Sequence, residues 1–153
     1  MGMPHHATMN GLYFAYGSNM NRQQMERRCP QNELLGVAVL AGYRFLIGER
    51  GYATLTDDPA ASVMGALYRI SVSDEEELDR CEGVAMGCYR KACLKVSFDG
   101  GQYEALTYLD DRTKPAPPRE GYMARILAGA RQLGLPAGYR AFLESFSNDS
   151  RLH

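Results

Sequence analysis

Short apolar runs punctuated by glycine and proline fill the first two thirds of the chain, and helical periodicity dominates only after residue 120. Residues 12–16 are apolar and aromatic and stop at Gly17, which predicts a first strand. Residues 21–28 predict a short helix that Pro30 ends. Residues 34–48 are rich in Val, Leu, Tyr and Phe, with glycines at 36 and 42, and predict one or two strands with a bend. A further strand is expected over 52–56, a turn at Asp57-Asp58-Pro59, and a half-buried strand over 63–72, where apolar residues alternate with small or polar ones.

Ser73 and Glu76 have the spacing of a capping box, so a helix is expected to begin at Ser73 and to stop at Gly83. Residues 89–98 and 102–109 predict two strands joined by a tight turn at Asp99-Gly100-Gly101. The proline-rich stretch 114–118 should be extended. Tyr122, Met123, Ile126, Leu127, Ala130 and Leu133 recur at helical spacing up to Gly134. Pro136 can open a second helix, with Tyr139, Phe142, Leu143 and Phe146 as its apolar stripe. These stripes are core faces. Many short strands with few long crossovers favour a curled, mixed sheet or barrel over a doubly wound sheet, so the fold class is α+β. One domain over 11–147 is expected, with flexible termini at 1–10 and 148–153.

Composition narrows the function. Seventeen Lys and Arg against eighteen Asp and Glu leave a net charge of −1, without the basic excess of a phosphate-gripping, nucleic-acid-binding protein. No apolar run approaches the ~20 residues of a membrane span, and the N-terminus lacks the basic-then-apolar pattern of a signal peptide. Cys29, Cys81, Cys88 and Cys93 form no CxxC pair, which argues against zinc and thioredoxin chemistry and for reduced thiols in a cytoplasmic protein. His5-His6 has no partners for a metal site and reads as tail; no metal or other cofactor is expected. The only other histidine is His153, so Ser-His-Asp and Cys-His machinery is implausible. Acid–base chemistry must then come from a carboxylate, Lys, Tyr or Cys. A homodimer is a reasonable assembly by base rate.

Two segments could carry such chemistry. In Tyr13-Phe-Ala-Tyr-Gly-Ser-Asn-Met20, a strand runs through a Gly17-Ser18-Asn19 turn into a short helix. Such a junction presents unpaired backbone N–H groups, suited to a carboxylate or a developing oxyanion. The plainer alternative is a turn in which Ser18 or Asn19 caps the helix. In Leu78-Asp-Arg-Cys-Glu-Gly-Val84, Glu82 flanks the buried helix face near the negative end of the dipole. Both influences disfavour the charged carboxylate and raise its pKa, as a general base requires. The alternative is a rim glutamate paired with Lys or Arg.

The combination is more specific than its parts. Tyr16-Gly-Ser-Asn-Met20, Gly51-Tyr-Ala-Thr-Leu55, Leu78-Asp-Arg-Cys-Glu-Gly-Val84 with Gly87 and Tyr89, then Tyr122 before Gly129-Ala130 and Gly134-Leu-Pro136 occur in one order. From about residue 12 to residue 143 the chain resembles the γ-glutamylcyclotransferase-like (AIG2-like) family. The resemblance implies a small, twisted mixed β-barrel flanked by helices. It also implies cofactor-independent release of 5-oxoproline from a small γ-glutamyl substrate, an activity of glutathione metabolism. The family's catalytic glutamate falls on Glu82, its substrate-holding turn on Tyr16, Gly17, Ser18, Asn19 and Met20, and its pocket tyrosines on Tyr89 and Tyr122. Cys81 and Cys88 stand where many relatives carry bulkier residues, and Glu120 replaces a common proline; both bear on which leaving group fits. Two other functions remain open at this point: a non-catalytic binding or interaction module that kept the fold, and a related acyl transfer on a glutamyl-capped intermediate.

Overall fold

The computed structural model describes residues 11–150. Five strands close a barrel in the order β1-β3-β2-β4-β5. They are β1 (Leu12–Ala15), β2 (Glu33–Ile47), β3 (Ala53–Arg69), β4 (Arg90–Phe98) and β5 (Gly101–Leu109). The helices are α1 (Arg22–Arg28), α2 (Val72–Cys81), α3 (Tyr122–Leu133) and α4 (Ala137–Ser150), with single 3-10 turns at Ser18–Met20 and Val84–Met86. All strand pairings are antiparallel except β1 with β5, which close the barrel in parallel through Tyr13 and Leu106. The mixed α+β barrel expected from the sequence is therefore the observed architecture. Expectations for residues 1–10, including His5-His6, and for 151–153 fall outside the described residues. No helix among the described residues is long and apolar enough to cross a membrane.

The long β2–β3 ribbon curls because it is interrupted. Register shifts fall between Leu34 and Gly36 and between Ala41 and Tyr43, and such bulges bend and twist a strand. Gly36 has φ of 150°, and a Cβ there would stand 3.0 Å from the Phe98 ring. The residues 34–48 expectation resolves to one continuous strand.

Two local expectations are corrected. Asp57-Asp58-Pro59 is not a chain reversal: β3 runs straight through it. Tyr43 pairs with Asp57 and Ala41 with Ser62, so residues 58–61 are extruded as a wide bulge. The turn chemistry is real, with the Ala60 N–H donating to Asp58 Oδ1 at 3.0 Å. Pairing with β2 on both sides overrides its tendency to reverse the chain. The cap of α2 also lies two residues earlier than Ser73-Glu76. Ser71 Oγ accepts from the Asp74 N–H at 3.0 Å, and Asp74 accepts in return from the Ser71 N–H at 3.3 Å. Both frames satisfy the motif locally; the observed one buries Asp74 beside the equally buried Cys29, whose Sγ lies 3.6 Å from the Asp74 carbonyl.

The Asp99-Gly100 turn forms as expected. Both residues have positive φ, 49° and 81°, and Phe98 pairs with Gly101 around a two-residue loop. The four cysteines are free thiols. Helix α3 packs on the Ser18–Met20 turn at its closest through Gly129. A Cβ there would lie 2.5 Å from the Met20 carbonyl carbon and 2.6 Å from the Asn21 nitrogen.

Candidate active site

The β1–α1 junction is built by its own side chains. The cap of α1 is Asn21, whose Oδ1 accepts from the Gln24 N–H at 3.1 Å. Capping by Ser18 or Asn19, the plainer expectation, is therefore not what holds the helix. Instead the Gln24 amide donates to Ser18 Oγ at 2.7 Å and to Asn19 Oδ1 at 2.9 Å. The Asn19 side chain donates to the Tyr13 hydroxyl at 2.9 Å, and the Asn19 backbone carbonyl accepts from the Tyr68 hydroxyl at 2.7 Å. A buried turn with this many partners is rigid. The Ser18 and Asn19 amides open a 3-10 turn, whose own ladder supplies them no acceptor.

Glu82 terminates α2, and its N–H bonds the Leu78 carbonyl at 2.8 Å. The chain then reverses direction at Gly83, φ 66°. A Cβ at Gly83 would lie 2.9 Å from that of Cys88, so the loop folds back on itself and turns Tyr89 inward. The Glu82 side chain is 17% exposed and lies 3.7 Å from Arg28 Nη1, an ion pair beyond hydrogen-bond length. Burial pushes its carboxyl above the usual range, partly offset by the positive charges of Arg28 and Arg50.

Two tyrosines fix the opposite wall. The Tyr89 hydroxyl donates to the Ala53 carbonyl at 2.6 Å, and the Tyr122 hydroxyl accepts from the Ala53 N–H at 3.1 Å. The same Tyr122 oxygen would be 3.4 Å from a Cβ on Gly17, so strand β3, helix α3 and the turn meet there. Tyr16 donates to the Tyr108 carbonyl at 2.5 Å. Its hydroxyl is committed to the wall.

These elements enclose a cavity of about 330 Å³, at the lower end of the range for small-molecule sites. Tyr16, Gly17, Ser18, Asn19, Glu82, Tyr89 and Tyr122 all line it. Met20 does not. It is fully buried in the core, and its backbone is what Gly129 packs against. Among the described residues, Glu82 is the only carboxylate of the lining, so a basic role has no competing acid. Cys81 and Cys88 also border the cavity.

Sequence reasoning missed the cations. Arg28, Arg50 and Arg125 line the same space, from α1, the β2–β3 hairpin tip and α3. Nothing local distinguishes them from solvent-facing arginines, since only the barrel closure brings them together. Gln24, the organiser of the turn, was hidden for the same reason.

Comparisons with known proteins agree with this fold. A profile of the AIG2-like family matches residues 62–143. The mouse γ-glutamylcyclotransferase is 34% identical, over 92% of this chain and 82% of its own length. The human γ-glutamylcyclotransferase is 31% identical, over 88% and 77%. A solved γ-glutamyl cyclotransferase structure superposes with a TM-score of 0.81 at 30% identity, covering 87% of this chain and 85% of that one.

Proposed function

The chain belongs to the AIG2-like, γ-glutamylcyclotransferase family, and from that premise we propose that it releases 5-oxoproline from a small γ-glutamyl amino acid or amine, with Glu82 as general acid and base. One domain spanning 11–147 carries the activity. The observation that supports this most directly is the shared cavity: a single carboxylate and the Gly17-Ser18-Asn19 turn border the same 330 Å³.

The chemistry follows from the substrate. Its α-amine must attack its own γ-carbonyl carbon, but at neutral pH that amine is mostly ammonium. Glu82, as carboxylate, takes a proton from it. The amine nitrogen then bonds to the γ-carbon, closing a five-membered ring, and the carbonyl oxygen becomes an oxyanion. Amides of the turn stabilise that charge, each worth about 2.7–4 kcal/mol of barrier in comparable sites. When the γ-carbon–nitrogen bond breaks, Glu82 gives its proton to the departing nitrogen; the proton that ring closure leaves on the attacking nitrogen then passes through the same carboxylate to the released amine, so that a neutral lactam and an ammonium product result. One carboxylate thus serves both steps, and no proton is gained or lost overall by the enzyme. The raised Glu82 pKa suits both roles, since the group must accept and release a proton near neutrality. Tyr89 and Tyr122 hold the wall against which the glutamyl chain folds for attack.

Glu82→Gln preserves shape and removes basicity. The substitution relieves the burial of a charge but takes the ion-pair partner from Arg28, so urea unfolding of the variant is read alongside its activity. We expect 5-oxoproline release to fall by about 10²–10⁴-fold. A folded variant working at the parental rate defeats the assignment. Silence of the parent protein across γ-glutamyl amino acids, dipeptides and amines, with tight binding of one of them, would instead identify a binding module. Mass spectrometry of the released product separates cyclisation from another acyl transfer.

A further inference from the structure

Arg50 occupies the tip of the β2–β3 hairpin and borders the cavity. Its guanidinium is held from several directions. Nε donates to Asp110 Oδ2 at 2.8 Å, and Nη2 to the Cys88 carbonyl at 3.3 Å. Its carbon stands 5.4 Å from the Tyr52 ring centroid and 5.3 Å from that of Tyr89. The hairpin tip is itself fixed: a Cβ on Gly48 would be 2.5 Å from the Arg112 carbonyl oxygen, so the chain leaving β5 lies directly on it.

The charge at this point does not cancel. Asp110 is only 5% exposed, and its second oxygen accepts from Arg112 Nε at 2.8 Å. One buried carboxylate therefore serves two guanidinium groups and leaves one positive charge over. Arg50 Nη1 has no partner among the described residues. A preorganised guanidinium with a free donor edge, stacked beside aromatic rings at a cavity wall, is a receptor for a carboxylate.

The glutamyl half of a substrate carries one carboxylate and one ammonium. A γ-glutamyl amine has nothing else to pair with a cation, whereas a γ-glutamyl amino acid has a second carboxylate beyond the scissile amide. Around Glu82 the structure offers cations on separate elements, Arg28 on α1 and Arg50 on the hairpin tip. Resting on the cyclotransferase reading above, we propose that Arg50 receives the carboxylate of the leaving amino acid and makes the site discriminate against leaving groups that lack one.

The test uses γ-glutamylalanine and γ-glutamylethylamine, which differ by that carboxylate alone. The readout is the ratio of their kcat/KM values for 5-oxoproline release. A ratio is needed because Arg50 also lowers the Glu82 pKa, so its removal affects both substrates through the base. The parent protein should favour γ-glutamylalanine by about 10- to 100-fold, the worth of a charge-assisted hydrogen bond. Arg50→Met should collapse the ratio toward unity, chiefly through the KM of γ-glutamylalanine, and Arg50→Lys should keep an intermediate value. A parental ratio near unity, which needs no variant to fold, overturns the inference and leaves the cyclotransferase reading standing. So does an Arg50→Met protein with the parental ratio. Absence of 5-oxoproline from these and all other γ-glutamyl substrates overturns the reading, and the inference with it.

Discussion

Gly129→Ala tests whether helix α3 holds the cavity-lining turn in place. The added methyl would sit 2.5 Å from the Met20 carbonyl carbon, 2.6 Å from the Asn21 nitrogen and 2.7 Å from the Met20 oxygen. All three are backbone atoms of the segment that follows Ser18 and Asn19, so no side chain can swing aside. Relief to an ordinary contact of 3.4 Å requires the helix and turn to separate by close to 1 Å. Overpacking of this kind costs about 1–3 kcal/mol. Alanine recovers about 1 kcal/mol of helix propensity against glycine. The net loss is about 0–2 kcal/mol, a fall in Tm of no more than about 8 °C for a chain of this size. Activity should suffer far more, because a 1 Å misplacement of catalytic groups can cost about 100-fold. With the turn amides stabilising the oxyanion, as proposed, the loss should appear in kcat rather than KM. The assays are 5-oxoproline release and urea unfolding on the same preparation. A variant with kcat within twofold of the parent would refute the claim that α3 positions the turn, whatever its stability.

The pH profile follows from Glu82. Its carboxyl is raised by burial against the pull of Arg28 and Arg50, and in the proposed role of general base it would work only when ionised. Activity should therefore fall with decreasing pH along a limb whose midpoint lies above the ordinary carboxylate range. Arg28→Gln, removing one of the offsetting charges, should move that midpoint upward; an unmoved limb would mean that another group sets it. Tyr122→Phe strips the acceptor from the buried Ala53 N–H and should lower unfolding stability by about 1–3 kcal/mol, which denaturant titration would show as an earlier midpoint with unchanged slope.

Short-range chemistry left its mark directly on the sequence. Alternation and apolar runs located the strands, Asp99-Gly100 imposed its tight turn through two positive φ angles, and Gly134 ended α3 in the left-handed conformation. The YGSN turn and Glu82 stood out as candidates because each is a local signal and their order along the chain is specific, and both border the cavity. Tertiary structure decided among local signals of equal strength. Asp57-Asp58-Pro59 keeps its turn chemistry yet becomes a bulge, because β2 pairs on both sides of it. Ser71 prevails over Ser73 as the cap, in the frame that buries Asp74. Met20, which directly follows the cavity residues Ser18 and Asn19, is buried in the core, with α3 packed on its backbone. Above all, Arg28, Arg50 and Arg125 became part of the site only when the barrel closed. An arginine's role depends on which distant charges and rings it meets, and pairing between Arg50 and Asp110, sixty residues apart, leaves no trace in the pattern around either residue.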